Sequence, residues 1–119
     1  MTNLPRRRWR DYSTPGGTRP VRDFIHELDD DGATQVLAAM KDVAVNGLEA
    51  ARHVRGDIYE IRAPVANATI RILFSVEGAR GLILLSLEAF AKTSRETPPQ
   101  AIRLAERRLA SWRARGQHD

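Results

Sequence analysis

The chain has 119 residues, no cysteine and an ordinary hydrophobic fraction of 42%. These values predict one globular domain over residues 1–119 and exclude disulfides, thiolate metal sites and cysteine nucleophiles. Basic residues outnumber acidic ones by 19 to 15, giving a formal net charge of +4, and all but two of the basic residues are arginine. The planar guanidinium of arginine suits phosphate, so the charge points to nucleic acid or to an acidic partner.

No apolar run approaches the roughly 20 residues that a membrane-spanning helix needs. The arginine-rich N-terminus is not followed by the apolar stretch of a secretory signal. We therefore expect a cytoplasmic protein that does not associate with a membrane.

The first half of the chain predicts one short strand and a helical hairpin. The arginine-rich run 6–10 leads into residues 11–12, a candidate short first strand, and residues 13–18 are rich in residue types that favour turns. Pro20 suits the first turn of a helix, and apolar residues recur at helical spacing after it. The acidic run 29–31 offers an N-cap for a second helix, which Asn46–Gly47 ends.

The second half predicts an antiparallel meander of three strands. Residues 58–62 and 69–76 alternate between apolar and polar side chains. The strongly apolar run 82–87 is typical of a central strand that is buried on both faces. The glycine-containing segment 77–81 joins the last two strands as a hairpin.

A final helix completes the predicted fold. Thr97 is the expected N-cap, Pro98 suits the first helical position, and Gln100 completes a capping box. Gly116 ends the helix. The element order is β-α-α-β-β-β-α, which is an α+β fold with an antiparallel sheet, a helical hairpin and a C-terminal helix.

The common catalytic signatures are absent from the sequence. It has no glycine-rich phosphate loop, no GxGxxG and no nucleophile elbow. The three histidines, His26, His53 and His118, do not have the spacing of a metal site. We therefore expect neither a metal nor a cofactor.

Cations on the predicted sheet are the remaining candidates for chemistry. Arg62 ends one strand, Arg71 lies within the next, and Lys92 follows the third. Arg62 and Arg71 share a face if the register permits, because neighbouring strands lie about 5 Å apart. Spacing alone leaves two interpretations open: a phosphate site, or a cross-strand ion pair of Arg71 with Glu60 or Glu88.

Three separated motifs resemble those of one toxin family. They are DIYEIR at residues 57–62, IRILF at residues 70–74 and FAKTSRETP at residues 90–98. Together with WRDY at residues 9–12 and PVRDF at residues 20–24, they resemble the phage-derived HigB-type branch of the RelE/ParE toxin superfamily. The match covers nearly the whole chain in the right order.

The resemblance implies a type II toxin that cuts mRNA and thereby inhibits translation. Members are endoribonucleases, several of them acting on the ribosome, that need no metal because the 2′-OH of the RNA attacks the adjacent phosphate. Their partner is a HigA-like antitoxin with a helix-turn-helix domain, and contact with operator DNA is made only through the antitoxin. The reaction needs a proton acceptor, cations for the developing charge and a donor to the leaving oxygen.

The resemblance also implies roles for individual residues. Arg62 and Arg71 would neutralise the scissile phosphate, with Lys92 as a second cation and Arg95 as an RNA contact. Tyr59 would stack on a base, although a strand tyrosine more often only packs.

His53 and Arg55 are further RNA-binding candidates implied by the resemblance. Both belong to the loop expected before the first strand of the meander. A histidine in a surface loop is, however, commonly just exposed.

The chain departs from the family pattern at three positions. Ala91 stands where the branch usually has the first of two lysines, Arg95 replaces a later lysine, and Phe74 replaces a tyrosine. Two alternatives therefore stay open: a ParE-like toxin that inhibits gyrase, and a non-catalytic subunit whose arginine-rich last helix binds an acidic partner.

Overall fold

A five-stranded mixed sheet is the centre of the fold, in the spatial order β1-β5-β4-β3-β2. The computed structural model describes residues 6–116, so the ends of the predicted domain, with His118, lie outside the described residues. The strands are β1 Arg8–Asp11, β2 Arg52–Arg55, β3 Ile58–Pro64, β4 Thr69–Glu77 and β5 Ile83–Lys92. The helices are α1 Pro20–His26, α2 Asp30–Asn46 and α3 Pro99–Ala114, with short 3-10 helices at Leu48–Ala50 and Ala79–Gly81.

The predicted α+β class and the helical hairpin are confirmed. Pro20 begins α1, and the Asp29 carboxylate accepts a hydrogen bond of 2.7 Å from the Gly32 amide at the start of α2. Gly47 ends α2 with a φ of 91°, a conformation that glycine adopts at little cost.

The sheet differs from the prediction in three ways. β1 runs parallel to β5, and an unpredicted strand, β2, pairs with β3, so the predicted meander of three antiparallel strands has four. β5 continues to Lys92, beyond the predicted end. The predicted cap of the last helix is wrong: Pro98 occupies the N-cap position of α3, and the Thr97 hydroxyl donates instead to Glu60.

The helices cover both faces of the sheet. The face covered by α1 and α2, here the hairpin face, has a core that includes Val21, Val36, Val43, Ile61, Ile72 and Phe74. The opposite face, here the α3 face, has a core that includes Ile58, Leu73, Leu87, Ala105, Leu109 and Trp112. β5 is buried on both sides over residues 83–87, as its apolar run predicts, and β4 is also buried on both sides although its sequence alternates between apolar and polar side chains.

Arginines fasten α3 to the sheet. Arg113 donates two hydrogen bonds, of 3.0 and 2.8 Å, to the two carboxylate oxygens of Glu77, and one of 3.1 Å to Asp57. These bonds raise the pKa of Arg113. Arg108 donates to the carbonyl of Leu87 over 2.7 Å and to the Glu88 carboxylate over 3.2 Å. Two arginines of α3 therefore contact the sheet, not the solvent alone.

A β-bulge lies in β5 under this contact. Leu73 pairs with Glu88 and Phe74 with Ser86, so that Leu87 has no partner in β4. The extra residue Leu87 locally disturbs the ladder of hydrogen bonds, and Arg108 donates a hydrogen bond to the Leu87 carbonyl.

Candidate functional site

The three predicted catalytic cations lie on the α3 face. Arg62 is directly opposite Arg71 in the β3–β4 register, and Arg71 is opposite Phe90 in β5. Lys92 is opposite Thr69, two residues farther along β5 from Phe90. The expectation that Arg62 and Arg71 share a face is therefore confirmed.

Arg71 is buried, with 1% of its surface exposed. Its Nη1 donates to the carbonyl of Glu96 over 2.7 Å, and its Nη2 donates to the carbonyl of Ser94. The Glu60 carboxylate lies 4.0 Å from Nη1. Burial, followed by the nearby charge of Arg62, lowers the pKa of Arg71. Arg71 thus holds the loop between β5 and α3 and does not reach the surface.

Glu60 is the buried anion of this region, and its side chain has no exposed surface. One carboxylate oxygen accepts a hydrogen bond of 2.7 Å from the Nε of Arg62, and the other accepts from the Thr97 hydroxyl. Arg62 also donates from Nη2 to the carbonyl of Arg95 over 2.7 Å. We call Glu60, Arg62, Arg71 and Thr97 the buried ionic cluster.

The buried ionic cluster fixes the loop 94–97 by side-chain and main-chain contacts. Cross-strand pairing of Arg71 with Glu60, one of the two open interpretations, is what the structure shows. Glu88 instead pairs with Arg108 at 3.2 Å. In this arrangement Arg71 is a positioning residue, because both of its Nη atoms are already bound to main-chain carbonyls.

Accessible cations lie on the α3 face at and beside the buried ionic cluster. The Arg62 side chain is 29% exposed, and Arg95 is exposed on the loop that the cluster holds. Arg52, which sequence reasoning missed, pairs with Glu60 in the β2–β3 register, and its charge contributes to lowering the pKa of Arg71. These side chains form a basic surface at the β2–β3 edge of the α3 face.

Lys92 lies on the other side of the loop, in a groove between β5 and the start of α3. The groove has a volume of about 350 Å³. Phe90, Ala101 and Leu104 form its apolar walls, and Lys92 is half-buried beside them. Arg62 and Lys92 therefore flank the loop from opposite sides.

The structure does not bring Tyr59 and His53 to this site. Both belong to the hairpin face, because strand residues alternate between faces and both are adjacent in sequence to residues of the α3 face. Tyr59 packs with its ring centroid 5.7 Å from that of Phe74, and His53 lies 5.1 Å from Tyr59. The His53 ring also makes a hydrogen bond of 2.7 Å with the carbonyl of Gly56.

Arg55 is on the α3 face but is already paired. It belongs to β2, not to a loop, and donates to Glu106 of α3 over 2.6 and 3.3 Å. These hydrogen bonds lower the pKa of Glu106 and raise that of Arg55. Arg55 helps to dock the last helix.

The Arg55–Glu106 pair predicts a defined pH effect. Because the pKa of Glu106 is lower in the folded state, the stabilisation is fully present above the usual glutamate value of about 4.3 and is lost as the pH falls through the lowered value. We expect the Tm of Glu106→Gln to fall less than the Tm of the wild type between about pH 7 and pH 3, measured in thermal melts followed by circular dichroism. Arg55→Gln should reduce the pH dependence equally, and unchanged pH profiles in both variants would contradict the pair.

Two further classes of site can be assessed in the structure. Among residues 6–116, no group of three or more histidine, aspartate or glutamate side chains is arranged to hold a metal ion. Within the same range, no helix combines the length and apolar character needed to cross a membrane.

The sequence comparisons agree with the fold. No curated protein matches the chain. Residues 23–110 match the family described as phage derived protein Gp49-like, which is a family of RelE-like toxins. The matched region runs from α1 to α3 and contains the buried ionic cluster, Arg52 and Lys92. The chain therefore belongs to the phage-derived Gp49-like family.

Proposed function

We propose that this protein is the toxin of a type II toxin-antitoxin system and cleaves mRNA, as a HigB-type toxin does. The observation that carries the proposal is the pair of cations, Arg62 and Lys92, that flank a loop fixed by the buried ionic cluster. Arg52 and Arg95 extend the positive surface along the β2–β3 edge. A phosphodiester chain fits such a surface because several phosphates can be neutralised at once.

The reaction proposed is transesterification by the RNA itself. The 2′-oxygen attacks the neighbouring phosphorus, the bond from phosphorus to the 5′-oxygen breaks, and a 2′,3′-cyclic phosphate forms. The 2′-OH loses a proton and the departing 5′-oxygen gains one. Arg62 would stabilise the charge that develops on the phosphate, and Lys92 would act as the second cation. This chemistry would select RNA over DNA, because DNA lacks the attacking group.

We assign charge stabilisation to this surface, and we do not assign a histidine as the general base. His53 lies on the hairpin face and His26 is in α1, so neither of the two histidines within residues 6–116 is beside Arg62. Arg71 would act through the loop it holds, by fixing the backbone next to Arg95.

The proposed partners follow from the same function. A HigA-like antitoxin with a helix-turn-helix domain would neutralise the toxin and would make the contacts with operator DNA. The mRNA would be met on the ribosome. The net charge of +4 is favourable for association with either an acidic protein or RNA.

Mapping RNA 5′ ends after induction of the chain in growing cells tests the proposal. We expect new 5′-OH ends within translated messages and arrested protein synthesis. Purified protein, with ribosomes added, should cut a defined message, and one 2′-deoxynucleotide at the cut position should abolish that cut. Intact messages together with trapped, cleaved DNA would instead assign the ParE-like activity. Intact messages and intact DNA would assign a non-catalytic role.

A further inference from the structure

The solvent-facing side of α2 carries exposed apolar side chains. Leu37 is 55% exposed and Val45 is 45% exposed, and among residues 6–116 they are the large hydrophobic side chains that lie on the surface. Both lie on the same side of the helix, because residues eight apart are separated by little more than two turns. The outward side of a helix that packs on a sheet is ordinarily polar. Neighbouring exposed apolar side chains are a mark of protein interfaces.

Three further residues complete a stripe along this side of α2. Thr34 and Ala38 are small and exposed, and the Thr34 hydroxyl already donates to a main-chain carbonyl one turn earlier, over 2.7 Å. Lys41 is exposed between Leu37 and Val45, and its methylene stem can cover apolar surface while its charge stays in water. We call Thr34, Leu37, Ala38, Lys41 and Val45 the α2 outer stripe.

The charges of α2 are distributed unevenly along its length. Asp30 and Asp31 are exposed in the first turn, whereas Lys41, the only cation of the helix, is in its C-terminal half. Asp31 and Lys41 lie about 15 Å apart along the helix axis, so they cannot pair within one chain. Within residues 6–116, none of these three side chains makes an ion pair. Antiparallel packing of two α2 helices brings such opposite charges together.

We propose that the α2 outer stripes of two copies of this chain pack against each other, antiparallel, in a symmetric dimer. A two-fold axis brings one surface against itself, so a single stripe supplies both halves of the interface. If the helices cross at Ala38, the small side chains allow a close approach and the two Leu37 side chains meet beside the axis. Lys41 of each copy then lies about one turn from Asp31 of the partner subunit, and Val45 packs against the first turn of the opposite helix.

The charge of this surface favours a second copy over an RNA. α2 has three aspartates and one lysine, a net charge of −2, although the whole chain has a net charge of +4. A polyanion would therefore be repelled, and a purely basic partner would leave Lys41 without a counter-charge. A helix that presents both signs in the opposite order matches the stripe, and a second α2 running antiparallel does so.

The length of the stripe sets the strength of the dimer. It extends from residue 34 to residue 45, about three turns of one helix. Interfaces below about 1,200 Å² belong to weak and transient complexes. We therefore expect a dimer that dissociates on dilution.

The dimer does not cover the proposed RNA site. α2 packs on the hairpin face of the sheet, whereas Arg62 and Lys92 lie on the α3 face. Both α3 faces thus stay accessible in the dimer. The proposal does not rest on RNA cleavage, and the oligomeric state is measured without any nuclease readout.

Sedimentation velocity of the full chain at increasing concentration tests the proposal. We expect mainly monomer at about 5 µM and mainly dimer at about 500 µM, by mass action. Leu37→Gln should weaken association at least about tenfold. The matched variant Ala110→Gln, at an exposed position on α3, should not change it. Circular dichroism shows whether each variant is folded.

Charge reversal tests the antiparallel arrangement. Asp31→Lys and Lys41→Glu each place like charges opposite each other in their own dimers, so each alone should weaken association at least about tenfold. In a one-to-one mixture, the heterodimer has two attractive pairs and should recover the association of the wild type to within about threefold. Arg107→Glu, a charge reversal at an exposed position on α3, should leave association unchanged.

Cross-linking by cysteine locates the two-fold axis. Because the chain has no cysteine, Ala38→Cys introduces a single thiol at the crossing point. Mild oxidation at about 500 µM should join two such chains by a disulfide, since both thiols lie near the axis. Ala110→Cys, at an exposed position on α3, should give no linked dimer under the same conditions.

Several outcomes would overturn the proposal. They are a monomer at every concentration, and a dimer that Leu37→Gln leaves unchanged. A mixture of Asp31→Lys and Lys41→Glu that associates no better than either variant alone would exclude the antiparallel arrangement. A linked dimer that forms as readily from Ala110→Cys as from Ala38→Cys would place the contact outside α2.

Discussion

Glu60→Ala is expected to lower the free energy of unfolding by about 3–5 kcal/mol, because it leaves a buried charge without its counter-charge. Arg71 is 1% exposed and would remain in the interior with no carboxylate beside it. Arg62 and Thr97 would each lose an acceptor. The loop 94–97 would lose the contact of Thr97 with β3, so the loss exceeds that of a surface ion pair.

Urea unfolding monitored by circular dichroism measures this effect. Glu49→Ala, at an exposed position in a 3-10 helix, is a matched control and should change stability by no more than about 0.5 kcal/mol. The double variant Glu60→Leu with Arg71→Met should be less destabilised than the sum of its single variants, because the charges are removed together. Additive losses would show that Glu60 and Arg71 do not act as a pair.

Lys92→Ala is expected to reduce RNA cleavage by a factor of about 10²–10³, the usual cost of removing one group that stabilises a transition-state charge. Lys92 flanks the loop from the groove side and is half-buried. Within residues 6–116, none of the hydrogen bonds of the buried ionic cluster involves Lys92. We therefore expect the stability of the fold to be nearly unchanged in this variant. Loss of activity without loss of stability would distinguish the role of Lys92 from that of Arg71, which holds the loop.

Single-turnover cleavage of a defined message measures the loss. Lys41→Ala removes the only other lysine, at an exposed position on α2, and should retain full activity. Lys92→Arg should retain part of the activity because it keeps the charge. Full cleavage by Lys92→Ala would remove Lys92 from the site and leave the basic surface around Arg62 as the candidate.

The helices could be predicted from local signals. The caps at Asp29 and Gly47 act within a few residues of the chain, so the sequence contains their whole cause. β2 was missed because Val54 is the only apolar residue in four, which leaves no periodic pattern. Gly56–Asp57 was nevertheless a usable signal: Gly56 has a φ of 54°, and a two-residue turn that begins with glycine is typical of a hairpin.

The site was predictable in its position but not in its details. Strand alternation allowed Arg62 and Arg71 to share one face if the register permitted, and the register shows that they do. The burial of Arg71 depends on carbonyls of Ser94 and Glu96, which belong to a loop more than twenty residues away in sequence. Thr97 likewise contacts Glu60 instead of capping α3. A buried carboxylate is costly without hydrogen-bond donors, and the hydroxyl of Thr97 supplies one.

The bulge at Leu87 also couples the orientation of Lys92 to the last helix. A hairpin that closes from the turn at Ala79–Gly81 pairs β4 with β5 regularly as far as Ser86. Continued regular pairing would then rotate Phe90 and Lys92 toward the hairpin face. Arg108 binds the Leu87 carbonyl, so α3 stabilises the bulged register. The face on which Lys92 lies is thereby coupled to the last helix, which follows it in the chain.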